Sequence, residues 1–223
     1  MRGLFVSGTD TGAGKSMVAA SICAALAADG ELVAAFKPVV TGLAEPVGKF
    51  PPDHELLARA AGSGQSPAEV APYRYDPPLS PHYAAELAGE TIEPARLVEH
   101  ARAAAPREGV LVAEGVGGLL VPITTGYLVR DLARDLALPL VVAARTGLGT
   151  INHTLLTVEA AHAVGLEVAG IVMTPWPEAP APIELSNRST VERLAGVPVS
   201  VLRPVDPGSL AAAGAELPLG EWL

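Results

Sequence analysis

Cysteine is nearly missing from this chain: Cys23 is the only one in 223 residues. An intrachain disulfide is therefore excluded, and the composition fits a reducing compartment. Lysine is almost as scarce, with Lys15, Lys37 and Lys49 set against twelve arginines among the fifteen basic residues. An excess of positive charge is absent too. The net charge of −9 argues against a general binder of nucleic acid or anionic membrane, while leaving room for a local anion site. No His/Cys group has zinc-ligand spacing, and no Gly-x-Ser-x-Gly elbow occurs. No apolar run approaches the length of a membrane span. The apolar stretch at the N-terminus is too short for a signal peptide and runs straight into a glycine-rich segment, so a cytoplasmic protein is expected.

That segment is the most informative part of the chain. Residues 8–16 read Gly-Thr-Asp-Thr-Gly-Ala-Gly-Lys-Ser, directly after Leu4-Phe5-Val6. A glycine-rich turn between a strand and a helix lets backbone amides approach a phosphate closely, with the helix N-terminus pointing at the anion. Lys15 then reaches the terminal phosphates and the Ser16 hydroxyl is placed to ligate magnesium. A chain that otherwise prefers arginine has lysine here, where a compact point charge suits a phosphate. The strict spacing of such a loop needs glycine at position 9, which is Thr9; Gly12 and Gly14 partly compensate.

Short apolar runs alternate with helical stretches along the chain. The expected strands are Gly3–Val6, Leu32–Lys37, Val110–Ala113, Leu140–Ala143, Ala169–Met173 and Val199–Leu202. Several are continuous and valine-rich rather than alternating, the pattern of strands covered on both faces. Helices are expected near 15–28, 53–61, 94–105, 128–136, 150–164 and 183–195, with Cys23 packed on the first. This predicts an α/β fold: one domain over 1–223, built on a doubly wound, mostly parallel sheet that binds its ligand at the carboxyl ends of the strands. The Pro- and Gly-rich stretches 44–52 and 62–82 read as surface loops, and 204–221 as an irregularly packed tail.

Candidate chemistry collects at those strand ends. Lys37 closes the second strand and begins Lys-Pro-Val-Val-Thr-Gly, residues 37–42. A second ammonium beside the phosphate loop offsets charge on a transferring phosphoryl group or an attacking carboxylate, and Thr41 offers a hydroxyl to the same substrate. The third strand ends in Glu114, followed by Gly115, Val116, Gly117 and Gly118. An acidic residue at that point is where phosphate-loop enzymes hold magnesium. Asp53 follows two prolines at a helix start and by itself reads as an N-cap. Residues 147–153, Gly-Leu-Gly-Thr-Ile-Asn-His, again join strand to helix through glycines. They suit a carboxylate better than a triphosphate, and His153 alone reads as structural.

Four segments together, 8–16, 37–42, 114–118 and 147–153, closely resemble the dethiobiotin synthetase family in identity, order and spacing. The resemblance implies a phosphate-loop NTPase-like domain that joins 7,8-diaminopelargonate to carbon dioxide, converts ATP to ADP and phosphate, and closes a ureido ring. A carbamate forms on one amine, its oxygen attacks the γ-phosphate to give a carbamic-phosphoric anhydride, and the second amine displaces phosphate. The same resemblance implies that Lys15 and Lys37 are catalytic and that Ser16, Asp53 and Glu114 hold magnesium. It places the nucleotide on Gly12, Ala13, Gly14, Lys15, Ser16, Met17, Asp53, Glu114, Gly115, Val116 and Gly117, and more loosely on Thr174, Pro175, Arg203, Pro204 and Val205. Thr11, Lys37 and Thr41 would contact the diamine and carbamate. Members are usually homodimers, with the substrate carboxylate held across the interface by Leu148, Gly149, Thr150 and Asn152 of the second subunit.

Two departures from the family pattern concern the base. Many members have Glu where this chain has Gly12, and Asn-Asp where it has Thr174-Pro175-Trp176-Pro177. Trp176 is placed either to stack on a base or to cover the core, and a relaxed choice among ATP, CTP and GTP is expected. Two competing functions fare worse. A cobyrinate-type amidoligase needs a glutamine-hydrolysing domain for which the chain is too short. A partitioning-type ATPase switch needs a lysine five residues before Lys15, where Asp10 stands.

Overall fold

A computed structural model describes residues 1–46 and 48–223; Val47, inside the expected loop 44–52, lies outside the described residues. Six parallel strands form the central sheet. They are β1 (Gly3–Gly8), β2 (Val33–Phe36), β5 (Val110–Gly118), β8 (Leu140–Ala144), β9 (Val168–Met173) and β10 (Val199–Val201), ordered β10-β9-β8-β1-β5-β2. All six expected strands are present. β1 lies between β5 and β8, pairing Phe5 with Ala113 on one side and with Leu140 on the other.

Both faces of the sheet are covered, which explains why its strands read as continuous apolar runs. In β1, Phe5 enters one hydrophobic cluster while Leu4 and Val6 enter the other. The first cluster is closed by α5 (Pro94–Ala104), α6 (Val129–Leu136), α7 (Thr150–His162) and α8 (Pro182–Ala195), through residues such as Leu97, Leu132, Val158 and Val191. The second is closed by α1 (Lys15–Ala28) and α2 (Asp53–Ala61), and by α9 (Leu210–Gly214) and α10 (Leu219–Trp222) from the C-terminal segment. α1 is apolar around most of its circumference because helices as well as the sheet surround it. Cys23 is fully buried there, and burial pushes its thiol well above the ordinary value. It is a packing residue, as expected.

The structure departs from the expected outline in three places. The stretch 62–82, expected as loop, contains α3 (Pro67–Val70), the two-residue strand β4 (Tyr73–Arg74) paired with β3 (Val39–Val40), and the start of α4 (Pro81–Ala88). The tail 204–221 is irregular only in part: it carries α9 and most of α10, and α9 packs so closely on α1 that a Cβ on Gly214 would stand 2.0 Å from the Ser21 carbonyl oxygen. β5 runs on to Gly118 instead of ending at Ala113, because its glycine-rich half follows β1 through a register shift to the pair Gly8–Gly118. A hairpin of β6 (Pro122–Thr124) and β7 (Tyr127–Leu128) then leads into α6.

Candidate active site at the phosphate loop

The loop between β1 and α1 is shaped by contacts at both ends. The Thr9 amide donates to the Ala143 carbonyl at 3.0 Å, hooking the loop to the end of β8. Gly14 caps α1 with φ 89°, a left-handed conformation that disfavours any side chain. A Cβ there would also lie 2.4 Å from Cγ2 of Thr174, so only glycine lets the loop settle on the end of β9. The Lys15 ammonium donates to the Asp10 carbonyl at 3.1 Å, folding back over the loop.

Lys37, one residue past β2, has an almost completely buried ammonium. It donates to Glu114 Oε1 at 2.6 Å and lies 2.9 Å from Asp53 Oδ2. The Ser16 hydroxyl donates to the same Glu114 oxygen at 2.9 Å. Four sequence-distant residues therefore meet where the carboxyl end of β2 and the middle of β5 face the starts of α1 and α2. The other Glu114 oxygen, Oε2, is buried with no hydrogen-bond partner among the described residues. Asp53 is in the first turn of α2 and makes no capping bond; Pro52 takes the cap position. Its carboxylate turns to Lys37 instead, which corrects the simple N-cap reading.

The charges alter one another. Burial pulls the Lys15 ammonium below its ordinary value, although Glu114 opposes the shift. Burial also works against the Lys37 charge, but Asp53 and Glu114 outweigh it and hold that ammonium above its ordinary value. Burial would raise the Asp53 carboxyl, yet Lys37 wins and keeps it below the usual carboxylate range. Glu114 is fully enclosed, and there burial prevails over Lys37 and raises the carboxyl. A carboxylate so placed is costly unless cations and donors surround it.

A cleft of about 570 Å³ opens over this cluster. Thr11, Gly12, Gly14, Ser16, Met17 and Thr41 line it, together with Val116 and Gly117 from the end of β5. Ala13 is fully buried and does not line the cleft. Gly115 is packed against Val129 and Phe5 and offers its carbonyl to Lys37 at 3.5 Å. Sequence reasoning missed Glu45, Val39, Val121 and Pro78 to Pro81 on the cleft wall. The last four were legible in part, since Ser80-Pro81 is a helix-start signal.

Other expected residues lie apart from the cluster. Thr174 is buried behind Gly14, and Val205 packs into the core on the α1 side, while Arg203 and Pro204 are exposed. Trp176 takes the core alternative: it is buried, with its amide donating to the Leu202 carbonyl at 2.8 Å. In the 147–153 turn, Gly149 caps α7 with φ 93°, and the buried Thr150 hydroxyl donates to the Arg145 carbonyl at 2.6 Å. Leu148 is 93% exposed and Asn152 is also exposed. His153 is exposed rather than buried, on an adjoining cavity of about 490 Å³ that it shares with Leu119, Leu120 and Leu156.

A parallel α/β sheet carrying this loop, with a lysine–carboxylate cluster beside it, defines a phosphate-loop NTPase-like protein. A family model described as an AAA domain matches residues 2–203. Among solved structures, a ParA family ATPase from Chlorobium tepidum TLS aligns over 98% of this chain and 93% of its own, with a TM-score of 0.55 and 13% identity, a likeness of fold alone. Two curated relatives carry the name ATP-dependent dethiobiotin synthetase BioD. The protein of Anaeromyxobacter dehalogenans is 43% identical over 93% of this chain and 92% of its own. That of Bacillus subtilis is 34% identical over 92% and 87%. The chain belongs to the dethiobiotin synthetase family.

Proposed function

We propose that the chain catalyses the ATP-dependent carboxylation and ring closure of 7,8-diaminopelargonate, giving dethiobiotin, ADP and phosphate, within one domain. The observation that carries this reading is the Lys37–Glu114–Asp53–Ser16 cluster lying beside the phosphate loop. The reaction brings a carbamate anion to a triphosphate, and two ammonium groups in one enclosed cleft are what that meeting of charges needs. One amine takes up carbon dioxide and loses a proton. The carbamate oxygen attacks the γ-phosphorus as ADP leaves. The second amine then attacks the carbonyl carbon, phosphate departs, and a second proton is lost.

In this reading Lys15 holds the terminal phosphates, and Lys37 faces the carbamate and the transferring phosphoryl group. Thr11 and Thr41 orient the diamine. The donor set fits magnesium: Ser16, Asp53 and Glu114 supply oxygens only, and the partnerless Glu114 Oε2 is a buried oxygen awaiting a cation or donor. When bound there, magnesium neutralises charge on the phosphates. No described helix is long and apolar enough to cross a membrane, and a cytoplasmic enzyme is proposed. The exposed Leu120, Leu148 and Leu156 support a homodimer in which the 147–152 turn of a second copy meets the substrate carboxylate.

The test is product chemistry. Purified protein given ATP, magnesium, bicarbonate and the diamine is expected to release phosphate and dethiobiotin in equal amounts, with no turnover when the diamine is omitted or magnesium is chelated. ATP hydrolysis independent of the diamine would point to a switch instead. Parallel assays with CTP and GTP read out the expected relaxation of base choice, and strict ATP dependence would end that expectation.

A further inference from the structure

The crest of the phosphate loop has one anchor that lies outside the reactive cluster. The Arg145 side chain follows β8, and its Nη2 donates to the Thr11 carbonyl at 2.8 Å across 134 residues of sequence. Both neighbouring parts of the loop are tied elsewhere, Thr9 to Ala143 and Gly14 against Thr174. Between those points, Thr11 and Gly12 are exposed. In a trans peptide the carbonyl and the following amide point in opposite directions. Fixing the Thr11 carbonyl on Arg145 therefore turns the Gly12 amide away from the guanidinium. The residue choice at position 12 agrees with this arrangement. A Cβ on Gly12 would touch Arg145 Nη2 at 3.4 Å, and Gly12 has φ 70°, so a side chain there would strain the backbone beside the guanidinium.

Arg145 is itself held from behind. Its own carbonyl accepts from the buried Thr150 hydroxyl at 2.6 Å. The next two carbonyls, of Thr146 and Gly147, accept from the buried Asn187 amide of α8 at 2.9 and 3.2 Å. A chain of hydrogen bonds thus runs from α8 and the start of α7 through the 145–150 turn to the loop crest. We propose that Arg145 is a positioning residue for nucleotide binding: it sets the orientation of the Thr11–Gly12 peptide and ties the phosphate loop to the 146–150 turn. This rests on the nucleotide reading of the loop given above.

The experiment compares wild type with Arg145→Met and Arg145→Lys in steady-state kinetics against ATP and against the diamine, with thermal midpoints recorded for each. Arg145→Met is expected to raise the ATP KM roughly tenfold, the scale of one lost charge-assisted hydrogen bond. The kcat should change by less than about threefold and the midpoint by under about 2 °C, because the arginine side chain is exposed. Arg145→Lys, or millimolar guanidinium ion added to Arg145→Met, should restore part of the affinity. An ATP KM for Arg145→Met within twofold of wild type would overturn the proposal, and so would a raised KM that neither lysine nor guanidinium ion lowers. Failure of the underlying reading is distinct: wild type itself would then turn over no nucleotide.

Discussion

Lys37 is gripped from two sides by carboxylates, so removing its charge should separate binding from chemistry. Lys37→Gln is expected to lower kcat by about a hundredfold or more while the nucleotide Kd shifts by less than about threefold, because the phosphate cradle is built by the loop and Lys15. Steady-state kinetics paired with calorimetric titration of ATP checks this, and an equal loss of affinity would move Lys37 into the cradle. The same substitution leaves Glu114 enclosed without its main cation, and a loss of stability of a few kcal/mol should accompany it. Much of this site was legible residue by residue. Lys15, Ser16, Lys37 and Glu114 stand in short motifs whose order alone puts them beside the phosphate loop, although Glu114 proves to lie inside β5 and not at its end. Asp53 was not legible unaided, because a carboxylate at a helix start has a local use that sequence cannot separate from a long-range one. Glu45 and Val121 carried no signal at all, since they reach the cleft wall only through tertiary folding.

At the scale of elements, strands were easier to read than short helices. Runs such as Val110-Leu111-Val112-Ala113 announce a strand buried on both faces, whereas α3 has one turn and no periodicity to count. Its local cue was a capping box: the Ser66 side chain accepts from the Glu69 amide, and Glu69 answers with a bond from the Ser66 amide. The hairpin before α6 has a pH-dependent tie to that helix. The Tyr127 hydroxyl donates to Asp135 Oδ2 at 2.8 Å, and burial together with that carboxylate raises the phenol well above its ordinary value. A raised phenol favours the protonated, folded form. Its contribution is whole below the unfolded value of about 10 and fades as the pH climbs through the folded one. The thermal midpoint of Tyr127→Phe should therefore lie below that of wild type at pH 8, and the gap should narrow above pH ~10. A gap that is constant with pH would show that the bond is not what differs.

For the whole molecule, the sheet and its two covered faces followed from the alternation of apolar runs and helical stretches, but the strand order did not, because it is decided by which crossovers bury the most surface. Among the described residues, the most exposed large apolar side chain is Leu148, at the turn before α7, with Leu156 two turns further on. In a monomer, exposed leucines add little to stability, so Leu148→Asp should leave the thermal midpoint within about 2 °C at low concentration. In the proposed dimer it should shift sedimentation equilibrium toward the monomer and raise the diamine KM while the affinity for ATP holds. Sedimentation unchanged by the substitution would remove this face from the interface.

The position of β1 has a consequence for how the chain comes to be active. It precedes both of its partners in the chain, since it is flanked by β5 and β8, which begin at Val110 and Leu140. On a ribosome, the glycine loop emerges long before Ala143 and Arg145, which tie down Thr9 and Thr11, exist to receive it. Closing such distant pairings is slow compared with forming local helices. The nucleotide cradle is therefore synthesised before the strands that shape it, and nascent chains that end before β8 are expected to have no affinity for ATP.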